Sequence, residues 1–226
     1  MKRTARRAVA ARRSPGLEFR TIIRPPRAKA GLLLGASCLA LAMTLPATRD
    51  ARAANECGAP VGGIVICNHD GLPASDANPY SKGIDYAVAD LTIIVTNGAV
   101  INTTTKSGEP AGIESGGAGN FGDLTIIAGS SAGGVTITTD APTAEGISAR
   151  TNDGDITITS FSRIITSGAS GAQGIEALTT GGDIVIDSHG RITTAGGFAS
   201  GISGLTLGDN HSVTITSDGV LKTSGY

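Results

Sequence analysis

Few residues of this chain of 226 amino acids could do chemistry, and their spacing limits what that chemistry could be. The histidines are His69, His189 and His211. A serine hydrolase needs a nucleophilic Ser joined to His and Asp. Gly129-Ser130-Ser131-Ala132-Gly133 has the form Gly-x-Ser-x-Gly, but a nucleophile elbow sits between a strand and a helix. Here Leu124 to Ile127 reads as one strand and Val135 to Thr138 as another, so the segment reads as a Gly/Ser turn. Asp123, Asp155 and Asp183 each follow a glycine and precede an apolar stretch. A row of carboxylates can serve a polysaccharide hydrolase or lyase, alone or with Ca²⁺. The simpler reading is a turn residue that accepts hydrogen bonds from local backbone amides. No aromatic platform for sugar rings accompanies the row, since Tyr80, Tyr86, Phe121, Phe161 and Phe198 are scattered. Thr157/Thr159 and Thr214/Thr216 resemble the Thr-x-Thr arrays that bind ice. Thr125/Ile127 and Val185/Asp187 break the array, and β-propensity accounts for the threonines. Nine residues separate Cys57 from Cys67, far beyond the spacing of zinc pairs, and His69 adds only one donor. The reading therefore assigns no catalytic residue, no cofactor and no metal site.

The elements that would position these residues begin after a separate head. Residues 1–53 hold 12 of the 18 Lys and Arg and only Glu18 and Asp50 among the acids, a net +10; the remainder sums to −11. Ten of the basic residues, from Lys2 to Lys29, precede the uncharged run Gly31 to Leu45; Pro46 ends it and Ala51-Arg52-Ala53 follows. A basic n-region, an apolar h-region and an A-x-A site in this order form a secretory signal, with cleavage expected after Ala53. The run is shorter than the roughly 20 residues that span a bilayer. Cys38 is a poor lipoprotein site because the apolar run continues past it. Arg6-Arg7 and Arg12-Arg13 lie too far upstream for a twin-arginine signal. Export delivers Cys57 and Cys67 to an oxidising space, where a disulfide between them is expected. Closing so short a loop contributes up to about 3 kcal/mol. The acidic body argues against a nucleic-acid partner, which needs clustered Lys and Arg.

The body is repetitive. Pro110-Ala111-Gly112-Ile113 returns as Ala144-Glu145-Gly146-Ile147, Ala172-Gln173-Gly174-Ile175 and Ala199-Ser200-Gly201-Ile202, at steps of 34, 28 and 27 residues. A second phrase reads Gly122-Asp123-Leu124-Thr125-Ile126, Gly154-Asp155-Ile156-Thr157-Ile158, Gly182-Asp183-Ile184-Val185-Ile186 and His211-Ser212-Val213-Thr214-Ile215. A third reads Val135-Thr136-Ile137-Thr138, Arg163-Ile164-Ile165-Thr166, Arg191-Ile192-Thr193-Thr194 and Val220-Leu221-Lys222-Thr223. A degenerate unit runs from Gly83 to Thr103. Alternation puts Ile156 and Ile158 on one face of a strand and Thr157 and Thr159 on the other. One such strand cannot bury its apolar face alone, but stacked units bury theirs together. Glycines fit the corners, some at positive φ. The expected fold is all-β: a right-handed parallel β-helix of about five three-strand coils over residues 83–226. It follows a signal peptide (1–53) and a cap segment with the disulfide (54–82). The interior ladder is Leu124/Ile126, Ile156/Ile158, Ile184/Ile186 and Val213/Ile215. The pattern breaks off at Ser224-Gly225-Tyr226 without a polar cap, which reads as truncation.

The basic leader, the Glu56-Cys57-Gly58 start with Cys67 soon after, and the Gly-Ile and Asp-Ile-Thr-Ile-Thr coils resemble the passenger region of bacterial autotransporters. That resemblance implies a non-enzymatic exported β-helical passenger or stalk. Host or neighbouring-cell surfaces would be its partners, and adhesion a role. It also implies an outer-membrane β-barrel after the passenger, and no run of barrel strands follows the repeats here. The alternative reading is a secreted carbohydrate-active β-helix enzyme, distinguished by a cleft of stacked acids and bases on one face.

Overall fold

The computed structural model describes residues 56–68, 80–104, 111–117 and 119–225. The leader and its cleavage site, the start of the cap segment, and His69 lie outside the described residues. Those described form sixteen strands and no helix. All strand pairs are parallel, in three sheets. The first sheet orders β1 (Ile64–Cys67), β3 (Leu91–Val95), β6 (Leu124–Ala128), β9 (Ile156–Ser160), β12 (Ile184–Ser188) and β15 (Val213–Ser217). The second orders β4 (Val100–Asn102), β7 (Thr136–Thr139), β10 (Arg163–Thr166), β13 (Arg191–Ala195) and β16 (Val220–Ser224). The third orders β2 (Ile84–Tyr86), β5 (Ala111–Gly116), β8 (Glu145–Thr151), β11 (Ile175–Thr179) and β14 (Ile202–Thr206). The chain visits the third, first and second sheet in turn. It is a β-solenoid of about five coils, with each recurring phrase in one sheet.

Register confirms the interior ladder. Leu124 pairs with Ile156, Ile156 with Ile184 and Ile184 with Val213; Ile126, Ile158, Ile186 and Ile215 form the next column. From Leu124 to Ile186 these side chains are at most 1% exposed, whereas Val213 is 38% and Ile215 45% exposed. The difference follows from position: β15 has a neighbour on one side only.

Two features go beyond the apolar phrases. Thr103, Thr139, Thr166 and Thr194 are buried at the inward ends of the second-sheet phrases. Their hydroxyls have no hydrogen-bond partner, so part of the threonine content is core rather than wetted surface. In addition, β1 belongs to the segment assigned to the cap but already pairs with β3. The first rung of that sheet thus precedes the first Gly-Ile phrase.

The glycine of that phrase is needed for room rather than for φ. Gly112, Gly146 and Gly174 do not have positive φ. A Cβ on any of them would collide with the core Ile137, Ile164 or Ile192, and with the carbonyl oxygen of the equivalent glycine one coil on. The equivalent glycine of the earlier unit, Gly83, differs in having positive φ (83°), as does Gly129 at another corner (φ 78°).

Candidate functional site

The recurring aspartates form a row, but their partners are not local. Asp90 Oδ1 accepts from the Asp123 amide at 3.2 Å, Asp123 from Asp155 at 2.9 Å, and Asp155 from Asp183 at 2.8 Å. Asp183 ends the row by accepting from the Ser212 amide at 2.7 Å and its hydroxyl at 3.2 Å. Each carboxylate therefore binds the backbone of the next coil at the same corner. The Ser212 amide bond, helped by His211 at 3.7 Å, holds the Asp183 carboxyl below the usual aspartate range. The Asp90 link was not singled out from sequence, because no glycine precedes it; its place just before Leu91 was the available signal. The row bonds coils together, with the Oδ1 of each carboxylate taken up by a backbone amide of the next coil.

A second group of acids lies on the outer face of the third sheet. Glu114, Ser148 and Glu176 share one register column, and Arg150 stands in register with Gly116 and Leu178. Arg150 binds Glu145 Oε1 at 3.2 Å through Nη2 and Glu176 Oε2 at 3.1 Å through Nε; Nη2 also contacts Glu176 Oε2 closely. Gln173 Nε2 donates to the other oxygen of Glu176 at 2.7 Å. Glu145 is only 7% exposed. Burial pushes its carboxyl up to about 7, with Glu176 adding to the rise and Arg150 opposing it. Between Glu114 and Glu176 in that column, Ser148 is buried and its hydroxyl has no partner. Sequence reading did not single out this cluster. Only the coil-to-coil register brings Arg150 and Glu176 together from positions 26 apart.

The third group is at the corner between the first two sheets. His189 lies between Asp187, 3.0 Å from Nε2, and Asp218, 2.9 Å from Nδ1. Its ring stacks on Phe161 with centroids 4.5 Å apart. The bonds to Asp218 and then Asp187 hold the imidazole above its ordinary 6.5. Ser130, of the Gly-x-Ser-x-Gly sequence, sits in a tight turn closed by paired bonds with Gly133, and β7 follows. Its hydroxyl exchanges hydrogen bonds with the Asn97 amide, so neither a histidine nor an elbow geometry serves it. Among the described residues, no three His, Cys, Asp or Glu side chains are grouped to hold a metal ion.

Cys57 and Cys67 are joined by a disulfide, with Cα atoms 5.1 Å apart. It is braced from the next coil by Tyr86, whose hydroxyl accepts from the Cys57 amide at 3.0 Å and donates to the Gly58 carbonyl at 2.9 Å. Burial pushes the Tyr86 phenol up to about 12. Glu56 Oε2 likewise accepts from the Asp85 amide. These contacts close the first rung over the core.

The outer face of the first sheet differs from the other two. One column reads Ile64, Thr92, Thr125, Thr157, Val185, Thr214 and the other Ile66, Ile94, Ile127, Thr159, Asp187, Thr216. Asp187 is its single charged member, and His189 occupies it. Every other position is β-branched, the residue type that suits a pleated surface.

The geometry defines a class, a parallel β-solenoid whose polar side chains chiefly bond one coil to the next. No family model, curated protein or solved structure matches the chain.

Proposed function

We propose that this chain is a non-enzymatic, exported β-helical passenger or stalk of an autotransporter-like surface protein, with adhesion through its lateral faces. One observation carries the reading: the recurring acids are spent on coil-to-coil bonding, from Asp90 through Asp183 to Ser212. A scaffold that invests its repeated polar groups in its own continuity is suited to spanning distance and presenting a surface. The basic leader followed by an A-x-A site supports export, and a disulfide suits an oxidising destination. The test is to express the natural gene in a Gram-negative host and follow residues 83–226 with an antibody. The expected result is antigen removed by protease from intact cells, starting at or near Ala54, with cell attachment lost alongside it. Cytoplasmic antigen that retains residues 1–30 would overturn the reading.

A second reading, a carbohydrate-active β-helix, draws on the Glu145–Arg150–Glu176 cluster. Glu145 holds a proton toward neutral pH while Glu176 is an acceptor bound by Arg150 and Gln173. Two carboxyls in such unequal settings are a familiar acid and base arrangement. The first reading is favoured because both carboxyls are bonded to the same guanidinium. Incubation with acidic and neutral polysaccharides separates the two: release of reducing ends or unsaturated uronates, lost in Glu145→Gln, would establish the enzyme.

A further inference from the structure

At the corner of His189, side chains of three successive coils meet in addition to the backbone bonds between them. Phe161 comes from the turn between β9 and β10, His189 from the turn between β12 and β13, and Asp218 from the turn between β15 and β16. Both imidazole nitrogens are engaged by carboxylate oxygens, at 3.0 and 2.9 Å. Only an imidazolium can donate at both nitrogens; a neutral ring donates at one and turns a lone pair to the other oxygen. We infer that His189 is a proton-operated clip fastening the coil of β14–β16 to the coil before it, closed when protonated and releasing Asp218 when neutral.

Asp218 is the partner released because the two carboxylates are unequally exposed. The Asp187 side chain is 40% exposed and that of Asp218 is 68%. The Oδ1 of Asp187 is buried without a partner, so that carboxylate depends on the Nε2–H. Water can solvate Asp218 more readily. The neutral ring therefore keeps its proton on Nε2 and loses it from Nδ1 to solvent. The charged groups around the ring are few. Arg163 and Arg191 open β10 and β13 in register with each other, and Lys222 lies on β16 opposite Thr193. The described ion pairs link none of the three to Asp187 or Asp218, so they do not replace the imidazolium. Thr159 and Thr216 flank Asp187 in its column, and neither titrates in this range.

The sign follows from linkage. A histidine whose folded value is raised contributes stability fully below its unfolded value and loses it as pH rises through the folded value. In the open form His189 no longer reaches the coil of Asp218, and the backbone bonds between the two coils remain, among them Asp218 N to Ser188 O at 3.2 Å. Among the described coils, that of β14–β16 is paired on one side in its sheets, so an effect is read there.

The test uses the full chain and two variants outside the core, Asp218→Asn at an exposed position and His189→Gln at a half-buried one. Imidazole ¹⁵N shifts of His189 are followed against pH, together with exchange protection of the amides of 213–224 corrected for intrinsic rate. His189 is expected to titrate above 6.5 and to become the Nε2–H tautomer. Protection in β15 and β16 is expected to fall across the same step, by up to about tenfold per unit by which its value is raised. Asp218→Asn should bring the titration back toward the ordinary value, and His189→Gln should remove the step in protection. A titration at or below 6.5, an Nδ1–H neutral form, or a protection step that survives in His189→Gln would each overturn the inference.

Discussion

At the scale of residues, four positions separate what a side chain contributes from what its absence allows. Gly146 has no space for a methyl group, since a Cβ would meet Ile164 and lie 2.6 Å from the Gly174 carbonyl oxygen. Gly201 occupies the same place in the last coil, but its nearest neighbours would be 3.7–3.9 Å away. Gly146→Ala is therefore expected to cost about 1–3 kcal/mol, the scale of overpacking, and Gly201→Ala to stay within about 0.5 kcal/mol. Urea unfolding of the two variants measures the difference. Thr166 makes the opposite point. Its hydroxyl is buried and unpaired, so Thr166→Val removes a polar group that has lost its water and gained no partner. The variant is expected to be more stable by up to about 1 kcal/mol. Asp183 sets an acid limit. Its value is lowered chiefly by the Ser212 amide. The stability it contributes is thus present above the ordinary aspartate value and lost as pH falls through the lower folded one. Asp183→Asn should flatten this part of the acid unfolding curve and lower the plateau above about pH 5 without changing its slope.

At the scale of elements, the strand is defined by which of its faces meets the next coil. In β9, Ile156 and Ile158 are fully buried while Thr157 is exposed. Ile158→Asp would bury a charge without a partner, at a cost of several kcal/mol or more. Thr157→Asp should stay within about ±0.5 kcal/mol, as surface substitutions do. Limited proteolysis and far-ultraviolet circular dichroism of the two variants would distinguish them; equal sensitivity would mean that the faces are assigned wrongly. The apolar phrase, its period and its place in one sheet were legible because alternation and recurrence are local properties. The inward threonines at the ends of the second-sheet phrases were less legible. Threonine suits an exposed strand face, yet a spacing of two from Ile137, Ile164 and Ile192 places Thr139, Thr166 and Thr194 inside, where the register stacks them.

At the scale of the whole molecule, a solenoid is held by contacts between neighbouring coils, so a lesion acts first on the coils it touches. The Cys57–Cys67 disulfide lies at one end and is bonded to the coil of Tyr86. Replacing both cysteines with serine is expected to cost up to about 3 kcal/mol. Amide exchange should show it as lost protection in β1 to β3 before any loss in β9 or β12. A uniform loss over all coils would mean that the stack unfolds as one unit.

The sequence by itself determined the class of fold and most of the core. Three phrases in fixed order, each with period-two apolar residues, admit stacking as the way to bury every face. Tertiary structure alone decided what the charged residues do. Asp123, Asp155 and Asp183 could have been a catalytic row or a set of local turn caps, and register made them, with Asp90, bonds between coils. Arg150 found Glu176, and His189 found Asp218, across separations of 26 and 29 residues. Hydrophobic pattern is written along the chain because burial acts on every residue of a strand in the same way. A hydrogen bond or ion pair depends on distances of about 3 Å, and only the stacking of coils sets which side chains come that close.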